Sequence, residues 1–63
     1  MHARRSLTSK LLIKKGTILT EEMLIPKRPG NGIPPSKITE VVGKKVKTNI
    51  EEDTAIKWED LEN

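Results

Sequence analysis

Ile13-Lys14-Lys15-Gly16-Thr17-Ile18-Leu19-Thr20-Glu21-Glu22-Met23-Leu24 is answered, 37 residues further along, by Ile50-Glu51-Glu52-Asp53-Thr54-Ala55-Ile56-Lys57-Trp58-Glu59-Asp60-Leu61. In that register Ile13 falls on Ile50, Gly16 on Asp53, Thr17 on Thr54, Leu19 on Ile56, Glu22 on Glu59 and Leu24 on Leu61. A constant offset of this kind marks an internal repeat. Each copy spells the same local chemistry: an apolar strand end, a charged tight turn, a short strand and one helical turn. Gly16 supplies a permissive backbone at the first turn. Thr20 is placed to cap the helical turn that follows, with Glu21 and Glu22 favourably set in its first turn. Two copies are too few for a solenoid and suit a pseudo-two-fold clasp. Ile13 and Ile50, Leu19 and Ile56, and Leu24 and Leu61 are therefore the expected equivalent core positions.

Outward from the repeat, Ser6 to Ile13 reads as extended. Ile25-Pro26-Lys27-Arg28 leaves the first copy extended as well, and Pro26 and Pro29 argue against a central strand there. Ser36 is a plausible N-cap for a helix whose apolar residues Ile38, Val41 and Val42 share one face, with Gly43 stopping it at C′. Lys44 to Ile50 then alternates and reads as a strand, Val46, Thr48 and Ile50 sharing its buried face. Trp58 stands where the first copy has Glu21; it is either an interface anchor or a side chain half-buried against the clasp. Met1 and His2 read as a chain start and Ala3-Arg4-Arg5 as the end of a linker, so that residues 6–62 form a single domain.

Composition narrows the function classes. A chain of 63 residues buries only about 60% of its extended surface, so its stability is marginal. With no Cys it has no disulfide framework, and its single His makes no zinc site with thiolates absent. Trp58 is the only aromatic residue, so the core must be aliphatic. No apolar run approaches the length of a membrane span and none resembles a secretory signal, which makes cytoplasm the expected compartment and excludes a membrane partner. The net charge of +3 raises nucleic acid as a partner. Without an aromatic stacking platform or a basic helix, that expectation fails, and a solvated mixed-charge surface replaces it.

The remaining informative stretch is Lys27-Arg28-Pro29-Gly30-Asn31-Gly32-Ile33-Pro34-Pro35, which holds three of the four prolines and two of the four glycines. Prolines fix φ and glycines permit φ > 0, so this is a shaped loop, and it carries one guanidinium at its mouth. Shaped loops are where binding residues concentrate. Pro29 would hold Arg28 extended and limit how far its side chain wanders. The alternative is a plain connector. No nucleophile has a base beside it and no phosphate-cradling motif is present, so this segment by itself is expected to catalyse nothing.

Taken in order, Arg4-Arg5-Ser6-Leu7, Ile13-Lys14-Lys15-Gly16, Lys27-Arg28-Pro29-Gly30-Asn31-Gly32-Ile33 and Val42-Gly43-Lys44-Lys45-Val46 resemble the antifreeze-like (SAF) domain that ends the sialic acid synthases, similar in fold to type III antifreeze proteins. The resemblance implies a mostly β fold with short 3₁₀ and α turns, a β-clip with an internal pseudo-two-fold repeat. It also implies a larger parent enzyme, in which a barrel joins phosphoenolpyruvate to N-acetylmannosamine with a divalent metal. No cofactor is implied for this fragment, because the metal ligands lie on the barrel. The implied partners are the barrel domain of the other subunit in a domain-swapped homodimer and the acceptor sugar. Arg28 matches the family's arginine that reaches the sugar N-acetyl group. Free ice binding is the rival implication of the same likeness, but a chain one-third charged lacks the apolar face that ice binding needs. Sugar-acid dehydratases and assembly chaperones carry related modules and form a third possibility.

Overall fold

Four-residue strands bury little surface alone, so here each one is held by neighbours distant in sequence. The computed structural model describes residues 4–28 and 30–62; the expectations placed on Met1, His2, Ala3 and Pro29 lie outside them. Strand β1 (Ser6–Ser9) pairs antiparallel with β2 (Leu24–Lys27), Leu7 opposite Pro26 and Ser9 opposite Leu24. Pro26 cannot donate to a ladder, and β2 is accordingly an edge strand, as its sequence requires. On its other side β1 is covered: Ile56 N–H donates to Leu7 O at 2.8 Å and Ser9 N–H to Thr54 O at 3.0 Å. All four residues of β1 are buried in consequence.

The repeat organises nearly all of the remaining pairing. Ile13 and Ile50 exchange backbone hydrogen bonds with each other, at 2.8 and 2.7 Å. Most of the other pairs that join the repeat segments have a counterpart when the two copies are exchanged. Gly16 N–H donates to Val46 O and Asp53 N–H to Ser9 O, both at 2.8 Å. Lys10 N–H donates to Met23 O at 2.8 Å and Lys47 N–H to Asp60 O at 2.9 Å. The bridge between Thr8 and Ala55 is mirrored by the one between Ile18 and Lys45. The helical turns agree too, Glu21–Met23 and Trp58–Asp60 both being 3₁₀ and flanked by extended residues with φ near −120° at Thr20 and Lys57. Connectivity of this kind is two-fold symmetric. The equivalent core positions follow it: Ile13 and Ile50, Leu19 and Ile56, and Leu24 and Leu61 are all buried. With Leu7, Ile33, Val41 and Val46 they make one aliphatic core.

Ser9 is where the copies differ most instructively. In the first turn Thr17 N–H closes directly on Lys14 O at 3.0 Å. In the second, the Ser9 hydroxyl stands between the corresponding groups, accepting from Thr54 N–H at 3.0 Å and donating to Glu51 O at 2.6 Å. Val46, the counterpart of Ser9, has no hydroxyl to do the same. One side chain thus widens one turn.

Several local expectations require correction. β1 ends at Ser9, and Leu11 and Leu12 turn outward, exposed, at a bend rather than continuing a strand to Ile13. Thr20 makes no side-chain cap, because the 3₁₀ turn behind it is closed by backbone bonds alone. Ser36 is not an N-cap either. Pro34 takes that place with Pro35 behind it, opening a 3₁₀ turn (Pro35–Lys37) that runs into the single α turn, α1 (Ile38–Val41). Proline suits that position, since a helix start has no use for its missing N–H. Of the expected apolar face, Val41 is fully buried, Ile38 packs on the core from its edge and Val42 points to solvent. Gly43 does follow the helix in a left-handed conformation, φ 95°. Lys44 to Ile50 makes isolated bridges at Lys45, Val46 and Ile50 instead of a continuous strand, and Thr48 is exposed. Trp58 opens the last 3₁₀ turn and stays 47% exposed.

Candidate functional site

The loop from Lys27 to Pro35 is fastened at both ends. At its entrance the Lys27 ammonium pairs with the Asp53 carboxylate, the left-handed residue of the second turn (φ 64°). Both side chains are about half exposed or more, so this pair orients more than it stabilises. At the exit Ile33 is buried, its N–H donating to Ile56 O at 2.9 Å and its carbonyl accepting from Leu7 N–H at 2.8 Å. Gly32 N–H donates to Ser6 Oγ at 2.9 Å. The loop therefore rests on β1 and on the second copy of the repeat at once.

Its glycines owe their place to close approach. A Cβ on Gly32 would lie 2.5 Å from the Ile56 carbonyl oxygen and 3.1 Å from Ala55 Cβ, and one on Gly30 would collide with Arg4 Cβ. Gly32 does not use the positive φ that the sequence suggested; the left-handed residues of the described chain are Gly16, Gly43 and Asp53. Gly32→Ala should therefore destabilise the domain by about 1–3 kcal/mol through overpacking. Urea unfolding measures the loss, and the amide resonances of Ala55 and Ile56 should shift most. Unchanged stability would mean the loop is not seated on that segment.

Arg28 lies at the bend immediately after β2, exposed, and forms no ion pair with any described residue. It is thus available to a group outside the domain. Sequence reading missed Arg4 and Arg5 as part of this site. Arg4, read as the end of a linker, packs against Gly30, and both arginines line a groove of about 420 Å³ with Gly30, Gly32, Pro34 and Pro35. The signal that could have found them was their place in the same ordered blocks as the loop. A second, wider depression of about 660 Å³ lies between Ser9, Lys10, Ile25 and Lys27 on one side and Glu52 and Asp53 on the other. Its opposite charges already meet in the Lys27–Asp53 pair. Among the described residues no three His, Cys, Asp or Glu side chains gather as a metal ion would require, and no helix is long and apolar enough to cross a membrane.

Comparison with known proteins gives this geometry a context. The family pattern described as the SAF domain matches residues 4–62. An N,N'-diacetyllegionaminic acid synthase of Legionella pneumophila is 41% identical over 59 residues, which are 94% of this chain and 17% of that enzyme. The N-acetylneuraminate-9-phosphate synthase of Homo sapiens is 43% identical over 60 residues, 94% of this chain and again 17% of the enzyme. The chain thus spans less than a fifth of the length of either relative. Among solved structures, the solution structure of an antifreeze-protein-like domain from the human N-acetylneuraminic acid phosphate synthase gene superposes with a TM-score of 0.88 at 44% identity. That match covers 92% of this chain and 75% of the other.

Proposed function

Since the chain belongs to the SAF domain family, we propose that it is the antifreeze-like module of a sialic-acid-type synthase, covering the active site of a partner subunit and meeting the acceptor sugar with Arg28. The observation that carries this reading is the exposed guanidinium-bearing Arg28, without an ion pair to any described residue, on a loop fastened to two separate parts of the fold. A sugar N-acetyl carbonyl is a neutral acceptor, and a guanidinium offers it a fixed fork of donors that stays charged at every relevant pH. Fastening the loop reduces what must be ordered when the contact forms. The fold, in this reading, is a β-clip, its two-fold repeat serving as a rigid frame for the loop. Phosphoenolpyruvate, the divalent metal and the groups that move protons belong to the barrel of the parent enzyme, a cytoplasmic homodimer. The module supplies binding and closure.

The reading makes a direct demand on the parent protein. About 250 residues of alternating strand and helix, the size of a barrel, should precede this segment in its gene. The purified full-length protein should consume phosphoenolpyruvate only when an N-acetylated amino sugar such as N-acetylmannosamine is supplied with a divalent metal. Release of phosphate without condensation, or a different upstream fold, would assign the module to another enzyme or to an assembly chaperone.

A further inference from the structure

The groove beside Gly30 and Gly32 has a composition that the Arg28 contact does not use. Two guanidinium-bearing residues, Arg4 and Arg5, line it with two glycines and the rings of Pro34 and Pro35, and no acidic side chain borders it. Neither arginine forms an ion pair with any described residue. Lys27, by contrast, is held by Asp53, and Lys37 lies 3.3 Å from the Glu40 carboxylate. Gly30 lies so close to Arg4 that a side chain would displace it, so the loop fixes the backbone from which the first guanidinium extends. Both glycines face packed neighbours, Gly30 the start of Arg4 and Gly32 the Ile56 carbonyl, so this side of the groove is held in place. Pro34 and Pro35 contribute no N–H donor and one apolar wall, against which electrostatic attraction is less screened than on open surface.

From this we propose that the Arg4–Arg5 groove is a binding site for a small oxyanion, a carboxylate or a phosphate group. A guanidinium presents paired donors in a plane that match two oxygens of either group. Two such residues on one groove can hold one anion from two sides. The volume of about 420 Å³ admits a small molecule and not an isolated ion alone, so the anion is expected to be one end of a larger ligand. Arg28 is not among the lining residues, so the proposal stands whether or not Arg28 meets a sugar.

The 63-residue chain, labelled with nitrogen-15, tests it in solution. Acetate and inorganic phosphate are titrated separately against chloride at constant ionic strength. Saturable shifts should appear at the amides of Gly30, Asn31 and Gly32 and at the arginine Nε–H groups of Arg4 and Arg5, with dissociation constants on the order of millimolar. The stronger of the two anions identifies the group, carboxylate or phosphate, that the natural ligand carries. The Arg4→Ala/Arg5→Ala variant should weaken binding about tenfold or more. Lys14→Ala/Lys15→Ala removes the same charge from the first turn and should leave binding in place. Equal weakening by both variants, or wild-type shifts spread evenly over all the basic residues, would reduce the effect to net charge and overturn the site. Should the arginine variant not fold, the wild-type shift map alone decides the matter in the same way.

Discussion

Ile13→Ala and Ile50→Ala should each unfold most of the protein at room temperature, and by nearly the same amount. Both side chains are buried and their backbones are bonded to each other across the centre of the repeat. Removing three carbons from such a site costs about 2–5 kcal/mol in lost transfer energy and residual cavity. A core in a chain this size rarely supplies more than about 3–5 kcal/mol in total. The truncation is therefore comparable with the whole stability. Milder variants give the finer test. Ile13→Val and Ile50→Val should cost about 0.5–1.5 kcal/mol each, and because the two sites touch, their double variant should depart from additivity. Urea titrations followed by Trp58 fluorescence or by circular dichroism measure all of these. Leu12→Ala, at an exposed bend, is the control and should stay within about 0.5 kcal/mol of the parent. A large difference between the Ile13 and Ile50 series would show that the two copies do not share the core equally.

That symmetry was legible because it is written twice. Ile13 over Ile50 and Leu24 over Leu61 survive as identities, and Gly16 over Asp53 as two residues suited to a left-handed turn, which both occupy. The repeat extends further than the matching letters, since Ser9 and Val46, or Thr8 and Lys45, hold equivalent bonds with unrelated side chains. Backbone hydrogen bonding does not depend on side-chain identity, so those positions carry no sequence trace. Local elements were harder for a related reason. A segment of four residues is too short for periodicity to separate a strand from a bridge, or a 3₁₀ turn from an α turn. Thus Lys44–Ile50 alternates in hydrophobicity at Val46 and Ile50, yet only single bridges form. In the site, Arg28 could be picked out by its loop. The reason for Gly32 could not, because close approach to Ile56 depends on a neighbour 24 positions away that only the fold brings near. Arg4 and Arg5 looked like linker for the same cause: Arg4 packs on Gly30, across the chain, and Arg5 lines the same groove.

Arg28→Ala in the full-length parent should lower kcat/KM for the acceptor sugar about ten- to a hundred-fold, the factor that a charge-assisted hydrogen bond of roughly 1.5–3 kcal/mol represents. Phosphoenolpyruvate affinity should hardly change. Stability should not change either, because Arg28 is exposed and has no ionic partner among the described residues. A collapse of stability would make Arg28 structural and the loop a plain connector. Subunit mixing makes the sharper demand, since the proposed contact crosses between subunits. Arg28→Ala subunits, whose barrels are intact, are mixed with subunits inactivated in the barrel whose Arg28 is intact. Each hybrid dimer then holds one complete site, formed by the barrel of the first and the module of the second. Random exchange should restore roughly a quarter of wild-type activity, since half the dimers are hybrids and each has one working site of two. If Arg28 instead served its own barrel, no hybrid would contain a complete site, and the mixture would remain at the level of the Arg28→Ala enzyme even after subunit exchange has been verified by mass spectrometry.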